Sequence, residues 1–300
     1  MKNPAPLLEA SRPRQWVKNG FVLAPLVFAR RMGDWESLRN ALLAFLSFCA
    51  VSSAVYLWND LADREKDRLH PVKRNRPVAS GRLSPGSAHL GALVFLLLGL
   101  FLGITLPGAG PAFVFFPIFY VLLNLAYSFR LKHVVILDVI CISLGFLVRV
   151  VAGGEALGVP VSSWLILCTL FVSLLLAILK RRSELKGLRE GGGDTHRKVL
   201  EDYDPGFLDM LPGPLAAMTI MAYALYTVDP QTIGKFGSRD LILTVPLVIY
   251  GVFRYLYLAW KMDRGGEPTR LVLEDKGILL ATLLWLGLCI LVIYGKGPGI

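Results

Sequence analysis

The chain has 300 residues, 54% of them hydrophobic, with a mean hydropathy of +0.56, more apolar character than a soluble protein of this size needs. Its formal net charge of +10 would suit a nucleic-acid binder, but the cations fall in alternate segments between long uncharged runs, which argues against nucleic acid and for a membrane protein. Cys49, Cys141, Cys168 and Cys289 all lie in apolar stretches without ligand-like spacing, which argues against a disulfide framework or a cysteine metal site.

In chain order, the apolar runs predict nine membrane helices, at about 13–30, 38–60, 88–106, 111–129, 134–152, 160–180, 207–228, 239–260 and 276–294. The expected fold is all-α: one polytopic domain spanning 1–300. Arg12, Arg14 and Lys18 surround Trp16 ahead of the first run, as at a membrane interface, and no cleavable signal peptide is evident there. Pro107 to Pro111 divides one uncharged stretch into the third and fourth helices. The fifth is expected to end near Gly153–Gly154, and a polar loop, 181–206, follows the sixth and contains Gly191 to Gly193. Nine spans put the termini on opposite sides. The N-terminal segment and the loops after helices two, four, six and eight carry 24 of the 32 Lys and Arg residues, so that side is expected to face the cytoplasm, in a cell (inner or plasma) membrane.

The second helix leads into Asn59, Asp60, Asp63 and Asp67. If it continues for a turn or two, these four share one face within an arc of about 100°. Crowded carboxylates repel one another, and a hard divalent cation relieves that conflict through oxygen ligands. Mg²⁺ is therefore the expected cofactor, with a phosphorylated substrate because Mg²⁺ commonly bridges to phosphate oxygens. A solvated helix end with mixed charges is the plainer alternative. Lys73, Arg74 and Arg76 follow closely and suit phosphate oxygens, or else set topology and attract anionic lipid. Tyr127, Lys132 and His133 could hydrogen-bond a phosphate or sugar hydroxyl. Asp138 and Arg149 stand inside an otherwise apolar helix, about 16 Å and three turns apart on one face, where charges normally line a polar cavity or pair with neighbouring helices. Lys180, Arg181 and Arg182 with Glu184 make a further anion receptor or an internal ion pair. Arg12 and Lys18 suit a lipid phosphate. No Ser-His-Asp order, His-Glu-x-x-His, P-loop or dinucleotide glycine pattern is present.

Asn59-Asp60-x-x-Asp63-x-x-x-Asp67, followed by Asn75-Arg76-Pro77 and Ser80-Gly81, resembles the first Asp-rich motif of the UbiA superfamily of intramembrane prenyltransferases. Arg12 to Asn19, Tyr127 with Lys132-His133, Asp138, Arg149 with Gly154, Lys180-Arg181 with Glu184, and Gly266-Glu267-Pro268 resemble its decaprenyl-phosphate phosphoribosyltransferase branch. The likeness runs from about residue 11 to residue 285. Aromatic-acceptor members carry a second Asp-rich motif where this chain has Lys180 to Glu184, which favours an anion bound directly. The branch implies a pentosyl transfer: 5-phosphoribosyl 1-diphosphate and a polyprenyl phosphate give polyprenyl-phosphoryl-5-phosphoribose and diphosphate, feeding cell-wall arabinan. It implies Mg²⁺ on Asn59, Asp60, Asp63 and Asp67, with Asp60, Asp63, Asp67 and Lys180 catalytic. Lys18, Lys73, Arg76, Tyr127, Lys132, Asp138, Arg149, Arg181 and Glu184 are the expected substrate contacts. Partners are the two substrates and the membrane, with a homo-oligomer left open. An aromatic prenyltransferase using a prenyl diphosphate is the alternative reading, and a transporter of phosphorylated lipid is the third.

Overall fold

A computed structural model describes residues 6–189, 198–261 and 268–295. Every regular element among the described residues is helical. They separate into two compact units: 1–132 with 148–160, and 133–147 with 161–300.

The first unit begins with α1 (Pro6–Ala10), an 11-residue 3₁₀ segment (Pro13–Leu23) and α2 (Ala24–Phe28). This replaces the continuous helix expected over 13–30. Pro13 and Pro25 interrupt the α register, and Arg14, Gln15, Lys18 and Asn19 break the apolar run. α3 (Trp35–Ala62) is capped by Asp34, which accepts the backbone N–H groups of Glu36 and Ser37. α4 (Arg64–Leu69), α5 (Pro85–Ile104) and α6 (Gly110–Phe129) follow. α7 (Leu137–Ala156) contributes its second half to this unit and its first half to the other. It runs through Gly153–Gly154, where the sequence predicts its end.

The helices of the first unit approach closely through small residues. Ser47 Oγ donates to the Gly99 carbonyl at 2.7 Å, and a Cβ on Gly99 would lie 2.5 Å from Val51. A Cβ on Gly153 would lie 2.1 Å from the Val22 carbonyl oxygen, so the α7 glycine admits the 3₁₀ segment directly. Around these contacts Phe48 meets Phe113 edge to face, with Val51, Val55 and Tyr120 completing the core.

The second unit adds α8 (Ser163–Arg189), α9 (Pro205–Met210), α10 (Pro212–Val228), α11 (Pro230–Phe236), α12 (Val245–Lys261), α13 (Pro268–Glu274) and α14 (Lys276–Gly295). α8 extends nine residues beyond the expected end at 180, so Lys180 to Glu184 lie within a helix and not at the mouth of a loop. Lys, Arg, Glu and Leu favour helix there, and Glu184 pairs back to both Lys180 and Arg181. Gly191 to Gly193, Gly266 and Glu267 lie outside the described residues. Leu175, Leu179, Tyr255, Leu258 and Ile278 form one core; Val139, Ile178, Leu185, Tyr203 and Leu208 form another.

Eight helical stretches among the described residues are long and apolar enough to cross a membrane: α3, α5, α6, α7, α8, 205–228, 240–261 and α14. The expectation was nine; the 3₁₀ segment with α2 is not one of the eight. The chain is a multi-pass membrane protein. Leu90, Val94, Leu97 and Phe101 of α5, and Leu280, Leu283 and Leu291 of α14, are exposed as lipid-facing side chains are.

Candidate active site

The Asp-rich face forms where α3 gives way to α4. The helix is not continuous as expected, since Asp63 (φ −94°, ψ 5°) separates the two. The hydrogen-bond ladder nevertheless persists: Asp63 N–H donates to Asn59 O at 2.9 Å, and Asp67 N–H to Asp63 O at 2.8 Å. The backbone ladder therefore continues across the junction.

Asp60 is 2% exposed and Asp67 4% exposed. Buried carboxylates need partners. Arg12 Nη2 donates to Asp60 Oδ1; Arg76 Nη1 donates to the same oxygen at 3.2 Å and to Asp67 Oδ2 at 2.6 Å. Lys132 Nζ lies 4.0 Å from Asp63 Oδ1. Arg12 holds a left-handed backbone conformation (φ 55°), uncommon for a residue with a side chain, and its guanidinium lies 5.0 Å over the Tyr56 ring. Arg12 thus meets a carboxylate, where the sequence pointed it at a lipid phosphate.

The segment carrying Arg76 is fastened at several points. Arg68 Nε donates to Ala79 O at 3.1 Å, and Arg82 grips both oxygens of Glu9, at 2.6 and 2.8 Å. The backbone N–H groups of Val72 and Lys73 both donate to His70 Nδ1, at 3.0 and 3.1 Å. Lys73 lies in that turn; Lys18 sits partly buried on the 3₁₀ segment, and Tyr127 partly buried near the end of α6.

Among the described residues, no three His, Cys, Asp or Glu side chains gather as a metal-binding group. The donor chemistry does fit a hard cation: Asn59, Asp60, Asp63 and Asp67 supply only oxygen on this face. The cluster demands positive charge, and Arg12, Arg76 and Lys132 supply it.

Arg149, on the half of α7 in this unit, is 4% exposed. Its Nε donates to Asn19 Oδ1 at 2.8 Å, and its guanidinium lies 4.4 Å from the Tyr120 ring centroid and 5.8 Å from that of Phe48. Fully buried Asn19 donates in turn toward Cys49 Sγ and Ser52 Oγ. An amide and two aromatic faces thus hold a cation inside the helices.

The other unit holds a separate polar network. Arg181 and Asp138 are both 0% exposed. Arg181 Nε donates to Asp138 Oδ2 and its Nη1 to Glu184 Oε2, each at 2.5 Å. Lys180 Nζ lies 3.9 Å from Glu184 Oε1. Tyr203 hydroxyl donates to Asp138 Oδ1 at 2.6 Å. Arg182 turns elsewhere, donating to Asp209 at 2.5 Å and stacking 3.9 Å over Trp260. Arg182 therefore diverges from Lys180 and Arg181, which both meet Glu184. Asp138 and Arg149 keep their three-turn spacing on α7, but each has its own partners and its own unit.

The sequence reading missed Tyr203, Tyr120 and Phe48, and met Asn19 only within a motif. Aromatic residues in apolar or loop sequence give no sign of which charge they will meet. Asn19, the last polar residue before the uncharged run 20–29, was the one available signal.

The model of the UbiA prenyltransferase family matches residues 21–274. A decaprenyl-phosphate phosphoribosyltransferase from Corynebacterium glutamicum is 36% identical over 292 residues, covering 96% of this chain and 86% of the relative. One from Mycobacterium tuberculosis is likewise 36% identical over 292 residues, covering 94% and 92%. A solved UbiA homologue from Archaeoglobus fulgidus, bound to GPP and Mg²⁺, superposes with a TM-score of 0.70 at 21% identity, covering 96% of this chain and 99% of that one. Arranged as that fold, with its Asp-rich face on the α3–α4 junction, the chain belongs to the UbiA prenyltransferase family.

Proposed function

We propose that this protein transfers 5-phosphoribose from 5-phosphoribosyl 1-diphosphate to a polyprenyl phosphate, releasing diphosphate. The observation that carries the reading is the α3–α4 junction, where Asp60, Asp63 and Asp67 alternate with Arg12, Arg76 and Lys132. Carboxylates for a hard cation and cations for phosphate oxygens are what a diphosphate leaving group requires. Near-full-length likeness to decaprenyl-phosphate phosphoribosyltransferases supports phosphoribose and a lipid phosphate as the groups joined.

Asn59, Asp60, Asp63 and Asp67 would hold Mg²⁺, which when bound supplies positive charge to the departing diphosphate. Arg76 and Lys73 bind phosphate oxygens, with Tyr127 and Lys132 adding contacts. Lys18 takes the lipid phosphate. In the other unit, Lys180 suits an anionic group of the donor and Glu184 a ribose hydroxyl, while Arg181, itself held by Asp138, bonds Glu184. A lipid phosphate oxygen forms the new bond to ribose C1 as the C1–O bond to diphosphate breaks, the leaving group taking the electron pair, with inversion at C1. A phosphate monoester is already largely ionised near neutral pH, so no general base is needed. The excess of Lys and Arg in the N-terminal segment and alternate loops supports an acidic face that opens to the cytoplasm.

A second reading has one observation in its favour: the A. fulgidus homologue is bound to GPP, a point for prenyl transfer from a diphosphate. Against it, Lys180 to Arg182 stand where aromatic-acceptor enzymes carry a second Asp-rich motif. The test is purified protein with Mg²⁺, labelled 5-phosphoribosyl 1-diphosphate and polyprenyl phosphate, beside a reaction with prenyl diphosphate and 4-hydroxybenzoate. Label entering the lipid phase in the first reaction alone supports phosphoribosyl transfer; prenylated product in the second alone refutes it.

A further inference from the structure

Tyr203 lies between α8 and α9, outside every motif used above. It is 3% exposed and packs in a core with Val139, Ile178, Leu185 and Leu208. Its hydroxyl donates to Asp138 Oδ1 at 2.6 Å and accepts the Ile136 N–H at 2.8 Å. Ile136 has φ +71°, a region that β-branched residues avoid, so the phenol holds a strained peptide two residues before Asp138. With Oδ1 occupied, Asp138 presents Oδ2 to Arg181, which passes the constraint to Glu184, and Glu184 stands 3.9 Å from Lys180. Burial first, and then the bond to Asp138, push the phenol's pKa above the ordinary tyrosine range, so it remains a proton donor at neutral pH.

We propose that Tyr203 is a positioning residue for donor binding: its hydroxyl fixes Asp138, and through Arg181 sets the Glu184–Lys180 pair that meets the phosphoribosyl group. The inference rests on the proposed phosphoribosyl transfer. A tyrosine serving only the core would affect stability and leave substrate affinity alone. A tyrosine that aims the donor-binding pair makes itself felt in KM.

The test uses full-length protein in nanodiscs with Mg²⁺, measuring kcat and both KM values. Removing a hydroxyl bound to a charged group should raise the KM for 5-phosphoribosyl 1-diphosphate about tenfold in Tyr203→Phe. The kcat and the KM for polyprenyl phosphate should stay within about twofold. The same substitution in an Ile136→Gly background guards against misfolding: glycine adopts φ +71° without steric cost, and Ile136 is exposed, so little burial is lost. In Tyr203→Phe/Glu184→Gln the two KM effects should fall short of additive, since both act on one network. An unchanged donor KM in either background, or full additivity with Glu184→Gln, overturns the proposal while wild-type turnover leaves the functional reading intact. Wild-type protein that transfers no phosphoribose overturns both.

Discussion

Asp138→Asn tests whether the buried ion pair of the second unit is an energetic unit. The substitution is nearly isosteric but removes the negative charge facing Arg181, and both side chains are fully buried. Removing one partner of a buried pair typically costs about 3–5 kcal/mol, because the remaining charge stays desolvated. Glu184 Oε2 still accepts from Arg181 Nη1 at 2.5 Å, which places the expected loss at the lower end, about 3 kcal/mol. Replacing the pair together, as Asp138→Leu/Arg181→Met, removes both desolvated charges and should recover most of that loss. It would also take one partner each from Tyr203 and Glu184, which keep the Ile136 N–H and Lys180, so recovery should be incomplete. The assay is reversible unfolding in mixed micelles with increasing denaturing detergent, followed by tryptophan fluorescence. A single variant as stable as wild type, or a double variant no better than the single, refutes the reasoning.

Three further outcomes follow from the geometry. Asp63→Asn should lower kcat by at least about a hundredfold, since it removes a carboxylate proposed to hold the Mg²⁺ that faces the departing diphosphate. Its effect on stability should stay below about 1 kcal/mol, because its partner Lys132 is 4.0 Å away at a partly exposed position; unfolding midpoints beside turnover numbers check both halves. Arg76→Gln removes the guanidinium that Asp60 and Asp67 share, so Mg²⁺ alone should protect this variant against heat at lower concentration than it protects wild type, while the donor KM rises. Equal Mg²⁺ protection in the two proteins would mean that Arg76 does not compete for those carboxylates. The Trp164 indole N–H, followed by the Gln231 and Thr232 backbone N–H groups, holds Asp229 below the usual carboxylate range. A depressed folded pKa contributes stability above the unfolded value of about 3.9, which is lost as the pH falls through the folded value. Asp229→Asn should therefore flatten the acid limb of the stability profile, read locally by Trp164 fluorescence, and an unchanged limb would discount the contact.

Membrane class and the Asp-rich face were legible in residue order because both are one-dimensional. A bilayer demands about 20 apolar residues in a row, and spacings of three and four residues bring carboxylates onto one helix face. The small departures are also local in origin. The prolines and polar residues of 13–28 make a 3₁₀ segment, and the i, i+3 and i, i+4 pairs of Glu184 carry α8 past Lys180.

Partner choice was not legible, because it depends on contacts between residues far apart in the chain. Arg12 lies 48 positions from Asp60, Asn19 lies 130 from Arg149, and Tyr203 lies 65 from Asp138. Periodicity along a helix says which way a charge points, not what stands in front of it. From 180 to 184 the sequence leaves an anion receptor and an internal ion pair open, whereas packing gives Lys180 to Glu184, Arg181 to Asp138 as well as Glu184, and Arg182 to Asp209. A buried charge takes whatever counter-charge, amide or aromatic face the fold delivers, and that delivery exists only once the helices have packed.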